Sequence, residues 1–275
     1  MDNIREIMEW YVEAGVDILL EDAPIDRFSE APPPPRQQAR QSQSAHAQSP
    51  AERLAKKQEA KPRPAPAPTP ATMPDGTAVE NAKSLVAKIQ TLDELKEAMT
   101  NFDGCNLKRT AKSLVFSDGN PQAKLMLIGE APGRDEDIQV IPFVGRTGQL
   151  LDKMLAAIGY NRENTYITNV IPWRPPGNRA PTSQETEICR PFIERHIELV
   201  NPDCILILGG SSAKTLMKTN DSIMKLRGKW IDFTTANKTV KAIPTLHPAY
   251  LLRQPAHKRL AWQDLLSLKQ KLNGD

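Results

Sequence analysis

The chain has 275 residues, 39% of them hydrophobic and 25% charged, with a formal net charge of +3. This is an ordinary composition for a soluble protein with one large domain plus extensions, and the small positive excess permits a polyanionic partner without requiring one. Three cysteines, Cys105, Cys189 and Cys204, are too few for a secreted disulfide framework, no apolar run reaches membrane-span length, and acids among the first residues argue against a signal or transit peptide; a cytosolic protein is expected.

In residues 1–21, Ile4, Ile7, Met8, Tyr11, Val12, Val16 and Leu19 recur mostly at spacings of three and four, which predicts an amphipathic helix. It reads first as a helix docking on the main domain and second as one recruiting a protein partner. Residues 22–76 hold twelve of the 24 prolines and little apolar material to offset the entropy of ordering, so they are expected to be a disordered, locally extended linker.

The compact domain is expected over residues 77–275. Val79, Leu85, Ile89, Leu92, Leu95 and Met99 give helical spacing, and Thr91 with Glu94 offers a capping box for a second segment. Gly119-Asn120-Pro121 marks a turn. The run Leu125, Met126, Leu127, Ile128 ends at Gly129 and suits a strand buried on both faces, with Pro132 and Gly133 making a tight loop that holds Glu130 at its carboxyl end. A helix is expected over 147–158, a strand over 165–171, a helix over 183–199, a strand over 204–208, a short helix to Met217, a strand over 239–244 and a last helix over 258–272. Strands alternating with helices predict a three-layer α/β/α domain with a mostly parallel four-stranded sheet. Glu130, Asn169 and His247 then fall at or just past strand ends on one edge of it.

No dinucleotide or Walker phosphate loop is present, since neither G-x-G-x-x-G nor Gly-Lys-Ser/Thr occurs at Gly129. This disfavours a nucleotide-dependent enzyme. Glu130, Asp135, Glu136 and Asp137 can be read as a carboxylate cluster or as acids at a helix start. Asp135 and Asp137 take the second reading, and Glu130 and Glu136 stay as site candidates.

The ordered set GEAPGRDED, PFVG, TNV, RPPGNR and HPAYLLRQP resembles the uracil-DNA glycosylase superfamily, and most closely its type-4 branch, over about residues 105–272. The resemblance implies a monofunctional DNA-repair hydrolase that flips uracil from single- or double-stranded DNA and cuts its N-glycosidic bond, leaving an abasic site, and it is expected to act as a monomer. It implies that Phe143 stacks on the base and that Asn169 reads the O4 and N3–H edge, with Ala131 beside them. His247 would stabilise the leaving base as an anion, and Glu130 or Glu136 the positive charge on the sugar. Where the best-known members carry a water-activating Asp, this chain has Ala131, so Glu130, Glu136 and Asn178 are all candidates to orient the water. Pro248, Ala249, Tyr250, Leu251, Leu252 and Arg253 resemble the loop that enters the minor groove, with Arg174, Arg179, His257, Lys258 and Arg259 as a basic rim. The alternatives are a glycosylase for hypoxanthine or xanthine and a non-catalytic lesion-binding protein.

Type-4 members hold a four-iron four-sulfur cluster on four cysteines. Cys105 and Cys189 match two of those positions, whereas Phe102 and Trp173 occupy the other two. With four thiolates the normal requirement, no cluster is expected, and the site should be a packed apolar plug.

Overall fold

The computed structural model describes residues 75–236 and 238–274. The expected N-terminal helix and nearly all of the expected linker lie outside the described residues. Two helices come first, α1 (Asp75–Val86) and α2 (Leu92–Asn101), the second opened by the Thr91/Glu94 capping box that the sequence predicts. A one-turn helix α3 (Leu107–Thr110) leads to β1 (Asp118–Gly119) and then to β2 (Leu125–Gly129), every residue of which is buried.

After β2 come α4 (Arg134–Gln139), α5 (Gly145–Ala156), β3 (Thr165–Asn169), α6 (Ser183–Val200), β4 (Cys204–Leu208) and α7 (Gly210–Met217). Then follow α8 (Ile223–Leu226), β5 (Ile231–Thr234), β6 (Thr239–Thr245), α9 (Pro248–Arg253) and α10 (Lys258–Leu272). The sheet order is β1-β3-β2-β4-β6-β5. Its four central strands are parallel, as the alternation of strands and helices predicts.

The sheet has six strands rather than four, because antiparallel edges β1 and β5 flank the parallel core. β1 is two residues long, too short to leave a periodic signal. β5 alternates half-buried and exposed positions, the signature of an edge strand with one wet face. The three-layer architecture follows from the period of two in the strands. Met126, Ile128, Ile205, Ile207 and Ala242 pack into one layer with residues of α1, α2 and α6. Leu125, Leu127, Leu206, Leu208 and Ile243 pack into the other with α5, α9 and α10.

This topology fixes where a ligand can sit. The chain leaves β2 for β3 on one side, and leaves β4 for β6 on the other. Loops that depart in opposite directions open a crevice at the carboxyl ends of β2 and β4, the usual ligand site of open α/β sheets. No helix of the described residues is long and apolar enough to cross a membrane.

Candidate active site

A cavity of about 650 Å³ occupies that crevice, lined on one side by Glu130 to Gly133 after β2 and on the other by Gly209 and Gly210 after β4. Phe143, Asn169 and His247 complete its inner walls, and Asn178, Tyr250 and Arg253 stand among its outer ones. The strand register explains the meeting: Asn169 is paired with Gly129 at the end of β3, and His247 lies two residues beyond the end of β6.

Gly129 marks the point of convergence. A Cβ there would overlap both the Phe143 ring and Asn169 Oδ1, so only glycine lets the ring and the carboxamide come together over the strand end. Asn169 is 5% exposed and Phe143 4%. Among the described residues no hydrogen-bond partner holds the Asn169 carboxamide, so its donor and acceptor are both available to a ligand. The ring of Phe143 lies 5.5 Å from that of His247, tilted by 31°.

His247 caps α9, its Nδ1 accepting from the Ala249 N–H at 3.1 Å. An accepting Nδ1 carries no proton, which fixes the neutral tautomer with hydrogen on Nε2. Burial, helped by the nearby Arg253 charge, pushes its pKa down to about 4, so the imidazole is a neutral Nε2–H donor through the physiological range. Gly209, at φ 97, abuts the His247 side chain, a Cβ there standing 3.0 Å from His247 Cβ.

Glu130 is partly buried at the cavity wall, and burial raises its pKa against an opposing bond from the Ser211 hydroxyl. Glu136 is placed differently. Its Oε2 accepts from Gly133 N–H at 3.0 Å and its Oε1 from Val144 N–H at 3.2 Å, so both oxygens are engaged by the backbone. Asn178 is exposed at the rim, where its Oδ1 accepts from Arg174 Nε at 2.6 Å. Ala131 lines the cavity. Asp137 is buried and accepts from the Lys112 and Ser113 N–H groups at 3.0 and 2.9 Å, a structural tie between two segments rather than a solvated charge at a helix start.

The stretch from Pro248 to Arg253 is a helix and not a loop. Its turn buries Pro248 and Leu251, which corrects their assignment to a DNA-facing surface; Ala249, Tyr250, Leu252 and Arg253 remain accessible to varying degrees. Of the expected basic rim, Arg179 pairs with Glu185 and His257 with the Tyr250 hydroxyl. Arg253, Lys258 and Arg259 are exposed and have no charged or hydrogen-bonding side-chain partner among the described residues.

Arg162 and Ser211 contribute to the site without having stood out in the sequence. Arg162 donates through Nη2 to the Phe143 carbonyl at 2.5 Å. Its partners are two backbone carbonyls about twenty positions away and the carboxylates of Asp118 and Asp152, and no local pattern announces them.

The residues at the four cluster positions do not suit an iron–sulfur group. Cys105 and Cys189 have their Sγ atoms 4.0 Å apart, but Phe102 and Trp173 are buried aromatic side chains that offer no lone pair to iron, and Phe102 packs edge-on against Phe192 at 4.9 Å. Among the described residues no group of three or more His, Cys, Asp or Glu could hold a metal ion.

Comparison with known proteins agrees with this geometry. The family model of the uracil DNA glycosylase superfamily matches residues 116–266. The chain is 39% identical over 171 residues to a type-4 uracil-DNA glycosylase of Archaeoglobus fulgidus, covering 61% of this chain and 86% of that one. It is 36% identical over 183 residues to the type-4 uracil-DNA glycosylase of Thermotoga maritima, covering 66% and 94%. The chain belongs to the uracil-DNA glycosylase superfamily, in its type-4 branch.

Proposed function

We infer that this chain excises uracil from DNA, taking the base out of the stack and hydrolysing its N-glycosidic bond to leave an abasic site. The observation that carries the reading is the convergence of an aromatic face, an unpartnered carboxamide and a neutral imidazole donor at Gly129, within a cavity at the sheet's switch point. A flipped base needs such a stacking face and an edge reader.

Phe143 stacks on uracil. The Asn169 amide N–H₂ donates to O4 while its oxygen accepts from N3–H. Cytosine presents the opposite pattern at both atoms and would leave buried groups unpaired. His247 donates its single Nε2–H to O2, where negative charge gathers as the glycosidic bond breaks, and a preplaced donor in a water-poor site stabilises that charge most. The partly buried Glu130 faces the electron-poor sugar and orients the incoming water; its position on the wall supports this role over Asn178 at the rim or the fully engaged Glu136.

Arg253, Lys258 and Arg259 meet phosphates, and the exposed part of α9 approaches the gap left by the flipped nucleotide. A monomer suffices, because every group named belongs to one chain. The three unbridged thiols favour a reducing compartment such as the cytosol.

Removal of a single well-placed donor from such a site costs on the order of 10²–10³ in rate. His247→Ala and Asn169→Ala are therefore expected to slow release of uracil from a single-uracil oligonucleotide by about that factor, read by alkaline cleavage at the abasic site. Wild-type rates in both would overturn the residue roles.

The protein works without an iron–sulfur cluster, its place taken by the packed side chains of Phe102, Cys105, Trp173 and Cys189. The purified protein is expected to be colourless and active; stoichiometric iron and sulfide in it would refute this.

A further inference from the structure

Phe143 carries the ring that stacks on the base, yet its backbone sits at φ 54, a left-handed conformation disfavoured for any residue but glycine. Such a conformation persists only where its surroundings over-determine it. Here the peptide that follows Phe143 is gripped from both sides. Its carbonyl oxygen accepts from Arg162 Nη2 at 2.5 Å, and its amide, the Val144 N–H, donates to Glu136 Oε1 at 3.2 Å.

Each grip is itself anchored. Arg162 Nη1 also donates to the Pro142 carbonyl at 3.2 Å and to Asp118 Oδ2 at 2.6 Å, while its Nε donates to Asp152 Oδ1 at 2.8 Å. Burial works against the guanidinium charge, but these two carboxylates outweigh it and hold the pKa above its usual value. The second oxygen of Glu136 accepts from Gly133 N–H at 3.0 Å, tying the loop after β2 to the loop that carries Phe143. Gly148 completes the arrangement, since a Cβ there would overlap the Phe143 carbonyl.

We propose that Arg162 and Glu136 are positioning residues, a two-sided clamp on the Phe143–Val144 peptide that sets the Phe143 ring in its stacking place before a base arrives. This rests on the uracil-excision reading. Arg162 stands outside the cavity lining, and Glu136, which lines it, has both oxygens engaged by backbone N–H groups, so both act through Phe143. Asp118, carried by the two-residue strand β1, and Asp152 on α5 aim the guanidinium fork.

The test is a double-mutant cycle. Arg162→Lys keeps a cation between Asp118 and Asp152 but loses the fork that reaches two carbonyls. Single-turnover release from a single-uracil duplex is expected to fall by on the order of 10- to 100-fold, the scale of a small misplacement of a reacting partner. In a Phe143→Ala background the same change is expected to cost no more than about twofold, because groups acting through one side chain are not additive. Glu136→Gln, which sets an amide N–H₂ against a backbone N–H, is expected to show the same dependence on Phe143. A loss that persists undiminished without Phe143, or no loss at all, overturns the clamp; for Glu136 alone, a persistent loss would mark it as catalytic in its own right. Amide exchange gives a readout free of turnover. The Val144 amide is expected to exchange faster in Arg162→Lys while the Leu125–Gly129 amides keep their protection, and unchanged Val144 exchange refutes the clamp. Absence of uracil release by the wild type would count against the functional reading alone.

Discussion

His247 and Glu130 face the same cavity with pKa values displaced in opposite directions, and their acid–base behaviour separates accordingly. His247 stays neutral until about pH 4, so its state does not change over the mildly acidic range. Glu130 is raised above its ordinary 4.5 by burial, so its carboxylate is lost first as the solution is acidified. The acid limb of the pH–rate profile is therefore expected to belong to Glu130: single-turnover excision falls as pH drops through the raised Glu130 value, and Glu130→Gln is slow but flat over the same range. An acid limb that survives in Glu130→Gln would move the assignment to another group. Phe143, Asn169 and His247 were legible in the sequence because each stands in a short ordered motif, Asn169 and His247 at or just past a strand end and Phe143 in the segment before α5. Arg162 was not, since what makes it matter is two carbonyls brought to it by the turn before β3.

At the scale of an element, α9 shows what the sequence pattern concealed. HPAYLLR was read as a loop from its resemblance to the segment that enters the minor groove, and it spans barely more than a turn after His247. In the structure Pro248 occupies the first helical turn, where its missing N–H is no loss, and His247 caps the helix through Nδ1. The helical turn sends adjacent leucines in opposite directions. Leu251 is 1% exposed and packs in the layer with α5 and α10, whereas Leu252 is partly exposed. Leu251→Ala is expected to destabilise the domain by about 2–5 kcal/mol in denaturant unfolding. Leu252→Ala is expected to leave unfolding unchanged within about 0.5 kcal/mol while slowing excision from duplex more than from single-stranded DNA, because only the duplex leaves a gap to fill. Equal slowing on both substrates would remove Leu252 from the flipping step. The same contrast governs the sheet: β2 and β4 were readable as apolar runs and β3 and β6 as strands rich in β-branched residues between helices, while β1 and β5 were missed because edge strands that are short or half-wet carry too few apolar positions.

The whole domain carries two imidazoles that folding keeps neutral, and its stability should record them. Besides His247, His196 on α6 is buried between Phe116, stacked at 4.5 Å, and Tyr166, whose hydroxyl lies 2.8 Å from His196 Nε2 and 2.7 Å from Ser117 Oγ. Burial pushes its pKa down to about 3. An unfolded chain protonates both histidines near their ordinary 6.5, and the native state takes up neither proton until far lower pH. The unfolded state thus binds more protons below 6.5, so stability rises with pH and is lost as pH falls from 6.5 toward 4. Each histidine is worth about 2 kcal/mol between about pH 7 and pH 5, or about 4 kcal/mol for the pair. The carboxyls of Glu130 and Asp264, raised by burial above their ordinary 4.5 and 3.8, act in the opposite sense. Urea unfolding at a series of pH values should show this fall in the wild type and about half of it in His196→Phe, which keeps the stacking partner of Phe116 and leaves Tyr166 bonded to Ser117. A profile that is flat from pH 7 to pH 5, or one unchanged by His196→Phe, would mean that the histidine is not held neutral by the fold.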